Sequence, residues 1–199
     1  MARDGHVTTG TTAGGATGTT AGGATGTTAR TPFSQADARR WARVGMLGAA
    51  ALVLGYAETF IPLPVPIAGV KLGLANVVVL LALELLDARD ALAIAAIKVL
   101  ATGFLFGSPL MMAYSAAGTL LAWGVMAALV RVRGLDVRLV AVCGAIAHNA
   151  GQLVVASLVL GTPLVWATAP ALVVAACVTG TLCGGVVRYV LACLGGEVA

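Results

Sequence analysis

The sequence from residue 141 to residue 155 is Ala-Val-Cys-Gly144-Ala-Ile-Ala-His148-Asn149-Ala-Gly151-Gln152-Leu-Val-Val. It is apolar enough for a bilayer, yet it carries three polar residues in its middle. At helical spacing His148 and Gln152 lie one turn apart on one face, which Gly144 continues and Gly151 borders. A His, Asn or Gln side chain that faced lipid would cost free energy. We therefore predict that this face points into a bundle of helices.

The whole chain is similarly apolar. Of its 199 residues 59% are hydrophobic and 10% are charged, and the mean hydropathy is +0.98. Soluble domains are about a quarter charged, and a soluble core of this size cannot bury so much apolar surface. The composition predicts an all-α integral protein of the cell membrane, whose first partner is the lipid bilayer. The basic residues behind the net charge of +4 are too scattered for nucleic-acid binding.

The cysteines favour packing rather than chemistry. None of the four has metal-type spacing with a second Cys or a His, and all lie in apolar segments. They are Cys143, Cys177, Cys183 and Cys193. We predict no metal site and no cofactor.

The N-terminal part of the chain is polar and repetitive. An octad of Thr, Ala and Gly runs from Thr11 to Gly18, runs again to Gly26 and then restarts. Such a sequence cannot offset the entropy of ordering, so residues 1–33 are predicted to be a disordered tail. Residues 34–43 are predicted to form a basic membrane-surface segment, with Ser34 as a helix cap and Arg39, Arg40, Trp41 and Arg43 behind it.

Six apolar segments then predict six transmembrane helices in a domain of residues 44–194, with a short tail at 195–199. They lie at about 42–60, 69–86, 89–106, 109–131, 137–160 and 166–193, near the roughly 20 residues that a span needs. Basic residues alternate between the two sides: apart from Lys71 at the start of the second segment, the first, third and fifth connections lack Lys and Arg. Because positive charge favours the inner side, both termini are predicted to be cytoplasmic.

Two groups of polar residues are candidates for solute binding. Lys98 and His148 fall near the middle of the third and fifth segments, where ionisable groups are often functional. With Asn149 and Gln152 they form either a site for an anionic or hydrogen-bonding solute or a structural network between helices. Nearer the outer surface, Lys71 either pairs with Glu58 or joins Asn76 and the start of the second helix in receiving a carboxylate or phosphate. These residues are the predicted substrate contacts; they are Lys71, Asn76, Lys98, His148, Asn149 and Gln152.

Three stretches together resemble a known family. They are Gly69-Val-Lys71-Leu-Gly73-Leu-Ala-Asn76, Phe106-Gly107-Ser108-Pro109-Leu110 with Tyr114-Ser115, and Ala147-His148-Asn149-Ala-Gly151-Gln152-Leu153. Over about residues 45–193 the chain is similar to the bacterial Gx transporter family, which is also labelled heptaprenyl diphosphate synthase component I. The resemblance implies a six-helix protein similar to the substrate-binding subunits of energy-coupling factor transporters. Such subunits bind a small solute and associate with a membrane coupling subunit that works with separate ATPases.

The two family names imply different functions. The sequence has no Walker A loop, so the chain does not hydrolyse ATP itself. It also lacks the paired Asp-rich motifs that would hold Mg²⁺ around a diphosphate, which argues against a catalytic synthase subunit. We therefore favour a transporter component over an enzyme. The alternatives are a non-catalytic membrane component associated with prenyl diphosphate synthesis and a purely structural membrane partner.

Overall fold

The computed structural model describes residues 34–61, 73–106 and 108–195. Within these ranges the chain is all-helical, with no strand. Its six α-helices are α1 (Gln35–Ala57), α2 (Asn76–Leu85), α3 (Ala88–Phe106), α4 (Pro109–Leu129), α5 (Val137–Leu160) and α6 (Ala169–Cys193). Short 3-10 helices follow α1 at Glu58–Phe60 and precede α6 at Pro163–Thr168. The predicted disordered tail and Lys71 lie outside the described residues.

The helices begin where local chemistry favours it. The Ser34 hydroxyl accepts the N–H of Asp37, whose carboxylate accepts the N–H of Ser34, so the predicted cap is confirmed as a capping box. Ser108 caps α4 and Pro109 stands in its first turn. At the end of α5, Gly161 adopts φ +61°, the left-handed conformation that commonly ends a helix.

Three helical segments are long and apolar enough to cross a membrane. They are Pro109–Leu129, Val137–Leu160 and Pro163–Cys193. They match the fourth, fifth and sixth predicted spans closely. α2 is also apolar but has 10 residues. The described chain is therefore a helical bundle of membrane-like composition.

The second predicted span, at about 69–86, is wrong as a continuous helix. Gly73 has φ +79°, and residues 74–75 form a turn, so α2 begins only at Asn76. Two backbone N–H groups at this turn, those of Gly73 and Leu74, donate to the Glu58 carboxylate instead of helical carbonyls. The tertiary contact with Glu58 thus accompanies a turn that the apolar pattern did not predict.

The bundle has two hydrophobic clusters with α5 passing through both. α5 packs against α4 and α6 along much of its length and also contacts α2, while α1 packs against α2 and α3. The larger cluster draws on all six helices and includes Leu47, Leu80, Ile94, Met126, Val140 and Val187. The smaller cluster joins α4, α5 and α6 and contains Tyr114, Leu153, Ala156, Val165 and Leu172. On α4 and α5 the buried polar residues fall between these clusters in sequence.

Close helix contacts use glycine, as expected where backbones must approach in a bilayer. A Cβ on Gly180 would lie 2.6 Å from Cα of Val142, and one on Gly184 would lie 2.5 Å from Cα of Arg138. The small-residue pattern of α6 therefore packs on α5. Gly151 makes a similar approach to α4, because its Cβ would lie 2.7 Å from the carbonyl oxygen of Ala117.

Exposed ion pairs join helix ends at two places. Arg40 on α1 donates two hydrogen bonds of 2.8 Å to the carboxylate of Asp90 on α3, and this contact raises the pKa of the Arg40 guanidinium. Arg188 on α6 donates to Asp136, the cap of α5, at 2.9 Å. Solvent screens such exposed pairs, so they mainly orient the ends that they join.

Candidate functional site

A buried polar layer crosses the bundle. Its side chains on α2, α3, α4 and α5 are each at most 6% exposed, although they carry ionisable, amide or hydroxyl groups. They are Asn76, Lys98, Thr102, Ser115, Thr119, His148, Asn149 and Gln152. The prediction that the polar face of α5 points into the bundle is confirmed.

Lys98 is at the centre of this layer. Its ammonium donates to the Thr119 hydroxyl at 3.2 Å and, over a longer 3.4 Å, to Oδ1 of Asn76. One turn along α3, the Thr102 hydroxyl donates to the Lys98 carbonyl at 2.7 Å. The structure thus brings Lys98 into direct contact with a second predicted site residue, Asn76, and with Thr119, which the sequence did not single out.

His148 and Gln152 form the α5 part of the layer. Nε2 of His148 lies 2.9 Å from Nε2 of Gln152, the spacing expected one helical turn apart. Because the Gln152 amide nitrogen carries only donors, the imidazole nitrogen accepts in this arrangement. This contact is consistent with the structural alternative for these two residues.

Two glycines let neighbouring elements reach His148. A Cβ on Gly73 would lie 2.9 Å from both Nδ2 of Asn76 and Cδ2 of His148. A Cβ on Gly118 of α4 would lie 2.8 Å from the His148 carbonyl oxygen and 2.9 Å from its ring. His148 is therefore held between α4 and the turn before α2, close to Asn76.

The Asn149 side chain faces away from His148 and its neighbours Gln152 and Asn76. Its amide donates to the carbonyl of Leu172 on α6 at 2.9 Å. The next residue on a helix is rotated by about 100°, which separates Asn149 from His148 despite their adjacency in sequence. Its Oδ1 is buried and accepts no hydrogen bond from the described residues.

Asn76 borders a small cavity between α2, α4, α5 and α6. The cavity volume is about 10 Å³, near the minimum for one water molecule, and its lining includes Gly73, Thr179 and Cys183. Nδ2 of Asn76 has no acceptor among the residues that the structure describes. A larger solute would enter only if the surrounding groups moved apart.

Glu58 and Thr119 extend the site beyond the predicted residues. Glu58 is 4% exposed, and its carboxylate accepts hydrogen bonds from N–H groups of the turn before α2. The predicted pair of Glu58 with Lys71 stays a prediction, because Lys71 lies outside the described residues. Thr119 could have been suspected because Ser115, Gly118 and Thr119 form a small polar patch at helical spacing on an otherwise apolar α4.

Comparison with known proteins identifies the family. Residues 47–190, more than half of the chain, match the family described as heptaprenyl diphosphate synthase component I. Comparisons with curated proteins and with solved structures found no significant match. The matched region contains the whole buried polar layer. Together with three helices of spanning length, the family match indicates a membrane protein. The chain belongs to the heptaprenyl diphosphate synthase component I family.

Proposed function

We propose that this chain is the solute-binding component of a membrane uptake system, with six spanning helices and both termini in the cytoplasm. The buried contact of Lys98 with Asn76 and Thr119 carries the proposal. A cationic group inside an apolar bundle is costly, and such groups commonly mark solute or ion pathways. Its positive charge favours a solute with an anionic group.

Two unsatisfied atoms support ligand contact. Nδ2 of Asn76 is a donor and Oδ1 of Asn149 is an acceptor, and both are buried without a partner among the described residues. Buried polar atoms are hydrogen-bonded in the great majority of cases. An acceptor group of a solute would satisfy Nδ2 of Asn76, and a donor group that reaches the α5–α6 contact would satisfy Oδ1 of Asn149. Lys71 and the pair His148–Gln152 complete the proposed set of contacts.

The proposed system includes a separate coupling subunit with its own ATPases. The chain has no Walker A sequence, so energy from ATP would have to come from another subunit. In this proposal the chain binds the solute and the coupling subunit drives the movement that releases it.

A second candidate is a non-catalytic membrane component of prenyl diphosphate synthesis. The description of the matched family favours it. Lys98 could then meet a diphosphate, and the catalytic residues would belong to another subunit, because the chain lacks Asp-rich motifs.

The test is mass spectrometry of small molecules that co-purify with the detergent-solubilised protein. Wild type is compared with a Lys98→Ala, Asn149→Ala double variant and with Ser157→Ala, a control on α5 whose hydroxyl bonds only within its own helix at Val154. We expect a solute in wild type and Ser157→Ala that the folded double variant loses. A retained prenyl diphosphate would favour the second candidate, and no retained molecule in any sample would argue against solute binding.

A further inference from the structure

The Glu58 carboxylate accepts hydrogen bonds from backbone N–H groups just before α2. Its Oε1 accepts the N–H of Gly73 and, at 3.0 Å, the N–H of Leu74. Backbone N–H groups before a helix lack helical acceptors and suit anions. Glu58 itself is 4% exposed, so this contact lies inside the protein.

A third donor borders the same turn. Asn76 is 6% exposed, and its Nδ2 has no hydrogen-bond acceptor among the described residues. A Cβ on Gly73 would lie 2.9 Å from this nitrogen, which places the amide directly against the turn. Behind it, Oδ1 of Asn76 accepts from the Lys98 ammonium. We call the N–H groups of Gly73 and Leu74 with Nδ2 of Asn76 the carboxylate cradle.

We propose that the carboxylate cradle binds a carboxylate group of the solute, which displaces Glu58 from it. This proposal rests on the proposed solute-binding function and specifies the solute as a carboxylate. Glu58 accepts from two of the three donors, whereas a free carboxylate can orient both oxygens toward all three. The adjacent positive charge of Lys98 favours the anionic form of such a ligand.

Space at the cradle supports displacement rather than simultaneous binding. Glu58 already accepts from the N–H groups of Gly73 and Leu74, and the neighbouring cavity beside Gly73 and Asn76 measures about 10 Å³, less than a carboxylate needs. A ligand carboxylate at the cradle therefore requires Glu58 to leave. Glu58 stands in a 3-10 turn that leads to the exposed Phe60 and Ile61. The chain therefore reaches the surface of the protein two residues after Glu58.

The experiment follows thermal unfolding of the purified full-length protein with sodium acetate as the probe. Sodium chloride at equal ionic strength and acetamide, the neutral analogue, are the comparison solutes. The variants are Glu58→Ala, which vacates the cradle, and Glu58→Gln, which leaves a weaker neutral acceptor there. Glu84→Ala is the matched control, because Glu84 is an exposed glutamate near the other end of α2.

We expect acetate to raise the Tm of Glu58→Ala by about 3 °C at roughly tenfold excess over its Kd. The shift should be smaller in Glu58→Gln and absent in wild type and Glu84→Ala. An equal response of the Glu58 variants and Glu84→Ala, or of acetate and acetamide, would overturn the proposal. If Glu58→Ala is not obtained folded, the same comparison with Glu58→Gln decides.

This outcome is separable from that of the proposed function, since acetate rescue requires neither transport nor an identified solute. Acetate-responsive variants in a protein that retains no solute would support the cradle and count against uptake. A retained solute without any acetate response would support solute binding and count against the carboxylate cradle.

Discussion

Thr119 shows how one hydroxyl connects two helices. It is 2% exposed and accepts a 3.2 Å hydrogen bond from Lys98 across the α3–α4 contact. Removing one partner of a buried hydrogen bond leaves the other desolvated and unsatisfied, which costs about 1–3 kcal/mol. The contribution of the pair is therefore measurable by substitution of either residue.

We predict that Thr119→Val lowers the free energy of unfolding by about 1–3 kcal/mol. In a double-mutant cycle with Lys98→Met, the coupling energy should be about 0.5–3 kcal/mol, because the two side chains are in direct contact. Denaturant unfolding in mild detergent measures both quantities.

The control for Thr119→Val is Thr181→Val on α6. The Thr181 hydroxyl is exposed and donates only to the Cys177 carbonyl of its own helix, so its loss should change the free energy little. Strict additivity of Lys98→Met and Thr119→Val would contradict the contact.

At the scale of the element, α4 presents two glycines with opposite surroundings. A Cβ on Gly118 would meet the backbone carbonyl of His148 at 2.8 Å, whereas a Cβ on Gly124 would meet nothing within 4 Å. Backbone atoms cannot yield as a flexible side chain can. Gly118 is therefore required by the α4–α5 contact, and Gly124 is not.

Gly118→Ala should destabilise the protein by about 1–3 kcal/mol through overpacking. Gly124→Ala, its matched control on the same helix, should be neutral or stabilising by up to about 1 kcal/mol, since alanine favours the helix. The Tm values of the two variants in the same detergent give the comparison. A loss of similar size in both would contradict the close approach at Gly118.

For the whole molecule, the number of spans is the property to test. Only α4, α5 and the segment through α6 have both the length and the composition of a span among the described helices. With six spans, the start of α1 and the connection at Asp87 lie in the cytoplasm. With three spans, both would share the outer side with Ser108.

We predict that single cysteines at Gln35, Asp87 and Arg133, in a background without the native cysteines, react with an impermeant maleimide only after permeabilisation. Cysteines at Ser108 and Gly161 should react in intact cells. Gel-shift labelling measures this, with retained expression as the folding control. Labelling of Gln35→Cys and Asp87→Cys in intact cells would contradict six spans and favour three.

The sequence by itself determined the all-helical class, the ends of most helices and the inward polar face of α5. These depend on local properties, namely apolar composition, helical spacing and residues such as Ser34, Ser108 and Pro109 at helix starts. Short stretches of sequence also carried the resemblance to a family. The match over residues 47–190 confirms that resemblance for the heptaprenyl diphosphate synthase component I label. The identity of the site residues as solute contacts stays a prediction.

Only the tertiary structure decided which polar groups meet. Lys98 reaches residues 22 and 21 positions away, Asn76 and Thr119, and Glu58 reaches the turn at Gly73. Such contacts depend on how each helix is rotated and where it crosses its neighbours, and no single helix specifies either. The same packing turned Asn149 toward α6 and delayed the start of α2 to Asn76, because hydrogen bonds and close contacts between elements outweigh the apolar pattern of one segment.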